Sequence, residues 1–463
     1  MWPRPAGNST HHLPAILPVA KIRGTMPKHN KLAHQSYTPD PPRSPFEIVP
    51  LDNLQGRRCS PTTEPERFGS GTGEVGRIVR EAGVTKLYLV HGTFVGSDPS
   101  GLFSSLTRFA GERLARIGFA SDAVRTLVEV SRFFVDKGLH DRGRYTREYQ
   151  RILQQAINPI PSERPVNVEL FDWSSENNHI GRSESVLQLL DKLFPEGNTP
   201  QGRVLLWGHS HAGNVFALLT NLLAAEKDVE MIGKVGAFFD AVQRGHGHGI
   251  IPRVSITEWR ARLTERTCSL GRHLDIVTFG TPIRYGWETS GCAKLLHVVH
   301  HRPVAGDPAP YLAPSFPPSP NKVLKAPDGD YVQQFAIAGT DLPSLGGSAR
   351  NEANSRLAEL LEGHALAVNK PQLSVQAKNS RGGNLLRGKI LRGAELDQKL
   401  ARVSGLIEAW KQRRRVPDDG QTLLVDYGVP DGNPLQHVFG HAVYMQLDWL
   451  LFHAQEVARR LNG

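Results

Sequence analysis

The chain has 463 residues, enough for one large domain with insertions or for two domains. Its 39% hydrophobic and 22% charged residues are ordinary for a globular protein with a sizeable core. The formal net charge of +10 is concentrated in runs such as Lys411–Arg415 and Arg381–Arg392, but no zinc-finger spacing, aromatic RNA-binding run or long basic helix accompanies them, so nucleic acid is not an expected partner.

Such basic runs read as solvated faces, with contact to an anionic membrane surface as the other reading. The three cysteines, Cys59, Cys268 and Cys292, are too few and too odd in number for a disulfide framework, although one bridge between Cys268 and Cys292 stays open. None has partners at metal-ligand spacing. No apolar run approaches the roughly 20 residues that span a bilayer. Leu13–Ala20 is short, is broken by two prolines and makes a poor signal peptide, and Met26 offers an alternative start. The compartment stays open, with the cytoplasm slightly favoured.

Residues 1–74, rich in Pro, Ser, Thr, His and Arg, read as a disordered or loosely attached leader. From Val75 onward, short apolar runs alternate with helical stretches, the pattern of a parallel sheet covered on both faces and hence of an α/β fold. The predicted strands are Lys86–Val90, Val166–Trp173, Arg203–Trp207, Asp275–Phe279, Leu295–Val299 and Thr422–Asp426. Predicted helices cover Ser183–Phe194, Asn214–Glu226 and Val443–Leu461. Two stretches exceed what a crossover needs. One is about Ser100–Ser162, with amphipathic patterns at Leu106–Ile117 and Ala123–Val135. The other is about Ser344–Gly420, charged and helical with a glycine-rich basic break at Ser380–Gly393. Both read as insertions in one domain spanning residues 75–463, the first as a candidate lid.

The chemistry is carried by Arg203–Gly213, R-V-L-L-W-G-H-S-H-A-G. A buried strand, a turn with small residues two before and two after a serine, and an apolar helix are what a nucleophile elbow needs. The small residues, Gly208 and Ala212, let the turn close, and the following helix aims its first amides at a reacting carbonyl. Ser210 is the expected nucleophile. The strand Leu87–Val90 ends in His91-Gly92-Thr93-Phe94, which places backbone amides beside the elbow. The amide of Thr93 or Phe94, with that of His211, is the expected oxyanion hole.

A serine hydroxyl needs a histidine to take its proton and an acid to hold the histidine's tautomer, in the chain order serine, acid, histidine. Asp307, in the proline-fixed loop after Leu295–Val299, is the expected acid. Asp426 is the reserve; Asp275 and Asp240 fall at the wrong places. His441, behind Gly440 at the start of the last helix, is the expected base, with His437 as rival. His91, Trp173 and His209 are expected to contact substrate. Asn178, His179 and Arg182 either line that pocket or form a capped loop before the next helix. Gly245–Gly249, G-H-G-H-G, reads as a loop and not as a metal site. No cofactor is expected.

The G-H-S-H-A-G elbow, T-F-G-T-P at Thr278–Pro282, G-D-P-A-P-Y-L at Gly306–Leu312 and H-A-V-Y at His441–Tyr444 together resemble the fungal-type class 3 lipases of the α/β-hydrolase superfamily. The resemblance covers roughly Val84–Val95, Arg203–Leu312 and the last thirty or so residues. It implies the α/β-hydrolase fold, a triad of Ser210, Asp307 and His441, and cleavage of a small-molecule or lipid ester through an acyl-enzyme. The other readings are a non-catalytic binding module of the same fold and a phospholipase effector that attacks membranes.

Overall fold

The computed structural model describes residues 32, 40–92, 145–159, 164–246, 251, 253–303, 309–314, 320–337, 347–362, 414–432 and 437–462. Seven strands form one sheet in the order β1-β7-β6-β5-β4-β2-β3. They are β1 Phe46–Val49, β2 Val84–Val90, β3 Asn167–Phe171, β4 Arg203–His209, β5 Leu274–Phe279, β6 Lys294–His300 and β7 Gln421–Val425. Every neighbouring pair runs parallel. The last six fall on the expected runs to within two residues at either end. Their apolar runs are continuous because both faces are covered. In β4, Val204 and Leu206 enter one core layer, and Leu205 and Trp207 enter the other.

In chain order the helices are α1 Leu51–Leu54, α2 Pro65–Glu81, α3 Arg147–Ile157, α4 His179–Leu193, α5 Ala212–Leu222, α6 Val229–Gly245, α7 Arg253–Leu263, α8 Pro320–Lys325, α9 Tyr331–Ile337, α10 Gly347–Glu362 and α11 Leu450–Leu461. α4, α5, α6, α7 and α10 pack with Val204 and Leu206. α2, α3 and α11 pack with Leu205 and Trp207. The protein is therefore an α/β fold with an all-parallel central sheet and helices on both faces. No helix among the described residues is long and apolar enough to cross a membrane.

The structure corrects two expectations of organisation. Within the segment read as a leader, residues 40–74 instead hold β1, which closes one edge of the sheet against β7, and the first part of helix α2, while residues 1–31 and 33–39 lie outside the described residues. β1 is only four residues long and its partner is far along the chain, so no local pattern announces it. α2 carries R-F-G-S-G-T-G-E-V-G, whose glycines argue for a loop. Tertiary packing overrides that: Phe68, Val75 and Val79 are buried, and a Cβ at Gly76 would collide with the Ile157 carbonyl of α3. The expected helix Val443–Leu461 is also divided. Residues His441–Met445 and Leu447–Trp449 are 3₁₀ turns, and extended backbone at Gln446 separates them before α11 begins.

Of the two insertions, the described parts are α3 and the residues around it in the first, and α10 and residues 414–420 in the second. α10 docks through Arg350, which donates to Glu184 (2.6 and 2.7 Å) and to Glu176 (both 3.0 Å) beside and within α4. Most of the candidate lid lies outside the described residues.

Candidate active site

The carboxyl ends of the parallel strands meet at one edge, where ligands of open α/β sheets bind. Ser210 follows β4 there with φ of 57°, a left-handed conformation rare for a residue with a side chain. The turn is held from three sides: Ser210 N–H donates to Phe279 O of β5 (2.8 Å), Thr281 Oγ1 donates to Ser210 O (2.7 Å), and Gly213 N–H donates to the same carbonyl (3.1 Å). A Cβ at Gly208 would strike Phe216 and one at Gly213 would strike Thr281, so the elbow closes only with hydrogen at those positions. The sharp strand-to-helix turn expected at Ser210 is present.

His441 sits after β7 in a bend built from three consecutive positive φ values, Val438 (46°), Phe439 (53°) and Gly440 (85°). Such left-handed non-glycine residues cost about 1–3 kcal/mol each and persist only where the surroundings impose them. Here Phe439 O accepts from Tyr331 N–H (3.1 Å), and Gly440 lies against Gly329 O, 2.6 Å from where a Cβ would stand. The histidine loop is thereby stitched to the loop carrying Asp330.

That loop places a carboxylate against the imidazole. His441 Nδ1 and Asp330 Oδ2 are 2.7 Å apart, and both side chains are buried. The same oxygen accepts from the Tyr444 hydroxyl (3.0 Å), while Oδ1 accepts from Gln333 N–H (2.9 Å) and so caps α9. Asp330 N–H donates to His300 O at the end of β6 (3.1 Å). Burial pushes the Asp330 carboxyl up, but the charge and hydrogen bond of His441, the Gln333 amide and Arg415 together hold it below the usual carboxylate range. The expected acid was Asp307, which lies outside the described residues. The carboxylate at His441 is Asp330, thirty residues beyond β6 rather than in the next proline-rich loop. Its one local signal is D-Y-V-Q, an aspartate with glutamine three positions on, the mark of a helix N-cap.

The rival residues have other partners. Asp426 pairs with Arg302 (2.9 Å) and accepts from Gly428 N–H (2.8 Å), fixing a turn. Asp275 pairs with Arg203 at the opposite end of the sheet, and Asp240 with Arg260 (2.5 Å). His437 Nδ1 accepts from Gly440 N–H (3.2 Å), so it shapes the bend that presents His441.

Ser210 Oγ and His441 Nε2 are both buried without a hydrogen-bond partner among the described residues. His209, the residue before Ser210, packs its ring on that of His441 with centroids 4.4 Å apart, and its Nε2 lies 3.2 Å from His441 O. Gly92, at the end of β2, is so close to the elbow that a Cβ there would lie 2.5 Å from Ser210 Cβ and 3.0 Å from its Oγ. His211 is the N-cap residue of α5, and its Nδ1 lies 3.3 Å from Asn214 Nδ2. Thr93 and Phe94 lie outside the described residues.

Trp173 donates its indole N–H to His91 O (2.8 Å), and the two rings stack 6.0 Å apart. His91 Nδ1 also lies 3.3 Å from Ser175 Oγ. These two residues thus form one wall beside Gly92. Asn178 is the N-cap of α4, accepting from Gly181 N–H (2.8 Å). His179 Nδ1 and Arg182 Nε both reach the Tyr285 hydroxyl, at 2.7 and 2.8 Å. Arg182 has no exposed surface, so of the two readings of this segment the capped, internally bonded one describes it. In the G-H-G-H-G run, His246 Nε2 lies 2.6 Å from Ile251 O and Nδ1 3.3 Å from Glu184; residues 247–250 lie outside the described residues. Among the described residues no three His, Cys, Asp or Glu side chains gather to hold a metal ion. Cys59, Cys268 and Cys292 are free thiols.

Comparison with protein-family models, curated proteins and solved structures finds no match to this chain.

Proposed function

We propose that the protein is a serine hydrolase of the α/β-hydrolase fold that cleaves a carboxylic ester, with Ser210, His441 and Asp330 as its triad. The observation that carries this reading is the 2.7 Å His441–Asp330 pair at the same sheet edge as a serine held at φ 57°, with Ser210 Oγ and His441 Nε2 both left without partners. Asp330 accepts the proton-bearing Nδ1 and so leaves Nε2 as the base. His441 takes the Ser210 proton as Oγ attacks the ester carbonyl. The oxyanion forms at the start of α5, where the His211 amide is one donor; removing one such donor costs about 3 kcal/mol in comparable sites. His441 then gives its proton to the leaving alcohol, and a water deprotonated by the same imidazole releases the acid. The residues need no metal or cofactor for any of these steps.

The resemblance to class 3 lipases favours a lipid or long-chain ester, and the basic composition suits peripheral contact with an anionic surface. His91, Trp173 and His209 remain the side chains assigned to contact with the acyl or alcohol part.

The test is a fluorophosphonate probe on the full chain, which labels an activated serine. Wild type is expected to label and Ser210→Ala to lose the label. Labelling that survives the substitution refutes the nucleophile. Hydrolysis of p-nitrophenyl esters of rising chain length, with and without vesicles of anionic lipid, then reads the substrate class.

A further inference from the structure

Arg415 is fully buried and stands just after residues 363–413, which lie outside the described residues. Its guanidinium donates to His300 O (2.5 Å) and Asp328 O (3.5 Å), and its backbone N–H donates to Tyr311 O (3.0 Å). Gly329, the residue before Asp330, lies under it: a Cβ there would stand 2.9 Å from Nη1 and 2.6 Å from His300 O. Both guanidinium hydrogen bonds go to neutral carbonyls, and no carboxylate among the described residues lies within ion-pair distance. A guanidinium does not shed its proton in a protein, and a buried one needs a counter-charge. Asp330 is the foremost charge supporting that of Arg415.

The same need exists on the other side. In the proposed mechanism, which this inference rests on, His441 is neutral at rest. Asp330 then has only neutral hydrogen-bond donors: His441 Nδ1–H, the Tyr444 hydroxyl and the Gln333 amide. The other charged or titratable groups facing it do not help. His300, at the end of β6, and His301, just beyond it, are pushed by burial down to about 4 and about 3, so both are neutral where the enzyme works. Tyr444 is held neutral by burial. Arg302 is engaged by Asp426. Asp328, which accepts from the Tyr331 hydroxyl (2.7 Å) and meets Lys322 (3.4 Å), brings no cation to Asp330.

We propose that Arg415 is a positioning residue that keeps Asp330 ionised while His441 is neutral, and so keeps the imidazole proton on Nδ1 and Nε2 bare toward Ser210. The two carbonyl bonds fix the acid loop, and the charge fixes the protonation state. The segment that returns from the second insertion thus completes the catalytic machinery.

The test separates charge from hydrogen bonding. Rates of fluorophosphonate labelling are measured against pH on the full chain for wild type, Arg415→Gln, which keeps an N–H donor without the charge, and Arg415→Lys, which keeps the charge. Removing a cation favours proton uptake by the Asp330–His441 pair. The acid limb is therefore expected to rise by about one pH unit in the Gln variant and to stay near wild type in the Lys variant. A limb that does not move in a folded Arg415→Gln overturns the proposal. If that variant does not fold, infrared difference spectra of wild type against Asp330→Asn read the carboxyl directly. Absence of a protonated-carboxyl band at about pH 6 is the expected result, and its presence overturns the proposal. A wild-type chain that fails to label at any pH refutes the hydrolase reading, while the infrared measurement still decides the ionisation of Asp330.

Discussion

Asp330→Asn is the substitution with the most to say about the site. Three donors converge on this carboxylate: His441 Nδ1 and the Tyr444 hydroxyl at Oδ2, and the Gln333 amide at Oδ1. An asparagine has one oxygen and one NH₂ for these two places. With its oxygen toward His441, the NH₂ faces the Gln333 N–H, donor against donor. With its oxygen toward Gln333, the NH₂ faces His441 and forces the imidazole proton onto Nε2, where it cannot receive the serine proton. The helix cap favours the second arrangement because the Gln333 amide has no other tautomer to adopt. The expected loss is about 10⁴-fold in kcat, or about 5 kcal/mol of transition-state stabilisation. Removing the charge also leaves Arg415 buried without its counter-charge, at a stability cost of about 3 kcal/mol. The assay is the rate of fluorophosphonate labelling and of ester hydrolysis beside Asp307→Asn, with thermal melts of each. Asp307→Asn is expected to stay near wild type, since His441 Nδ1 is already taken. An Asp330→Asn enzyme with near wild-type rate, or an inactive Asp307→Asn, would refute the reasoning.

Further outcomes follow from individual contacts. Gly92→Ala places a methyl 2.5 Å from Ser210 Cβ, a contact with no flexible side-chain end to give way. It is expected to cost about 1–3 kcal/mol of stability and most of the labelling, seen by melting and probe rate together. Arg350→Ala removes the clamp between α10 and Glu184, which is almost fully buried; a loss of about 3 kcal/mol in denaturant unfolding is expected, with labelling of Ser210 retained in the folded fraction. Stability should also fall steeply in acid. Burial pushes His297, His301 and His453 down to about 3 and His300 to about 4, so the unfolded chain takes up protons below about pH 6.5 that the folded chain refuses. Asp275, raised by burial to about 6 against the pull of Arg203, opposes this by one proton. The net slope is about 4 kcal/mol of stability lost per pH unit between about pH 6 and pH 4. Chemical unfolding at a series of pH values measures it, and a flat profile across that window contradicts the neutral burial of these imidazoles.

The buried positions of the central strands and the elbow were legible in the sequence because both depend on near neighbours. Continuous apolar runs such as R-V-L-L-W mark a strand covered on both faces, and Gly208, Ala212 and Gly213 flank Ser210 for steric reasons that act within five residues. The sequence places His441 behind Gly440 at a helix start, but the bend that presents it runs through the left-handed Val438 and Phe439, which carry no local signal. What the tertiary structure alone decided is which groups far apart in the chain meet. β1 is a strand because β7 offers it an edge, and α2 is a helix despite its glycines because α3 and α11 approach its surface closely. Asp330 is the carboxylate that meets His441 because Gly329, His300, Phe439 and Arg415 hold two distant loops together. Proximity in sequence to a strand end pointed to Asp307, whereas the hydrogen bond belongs to the carboxylate that folding carries to the imidazole.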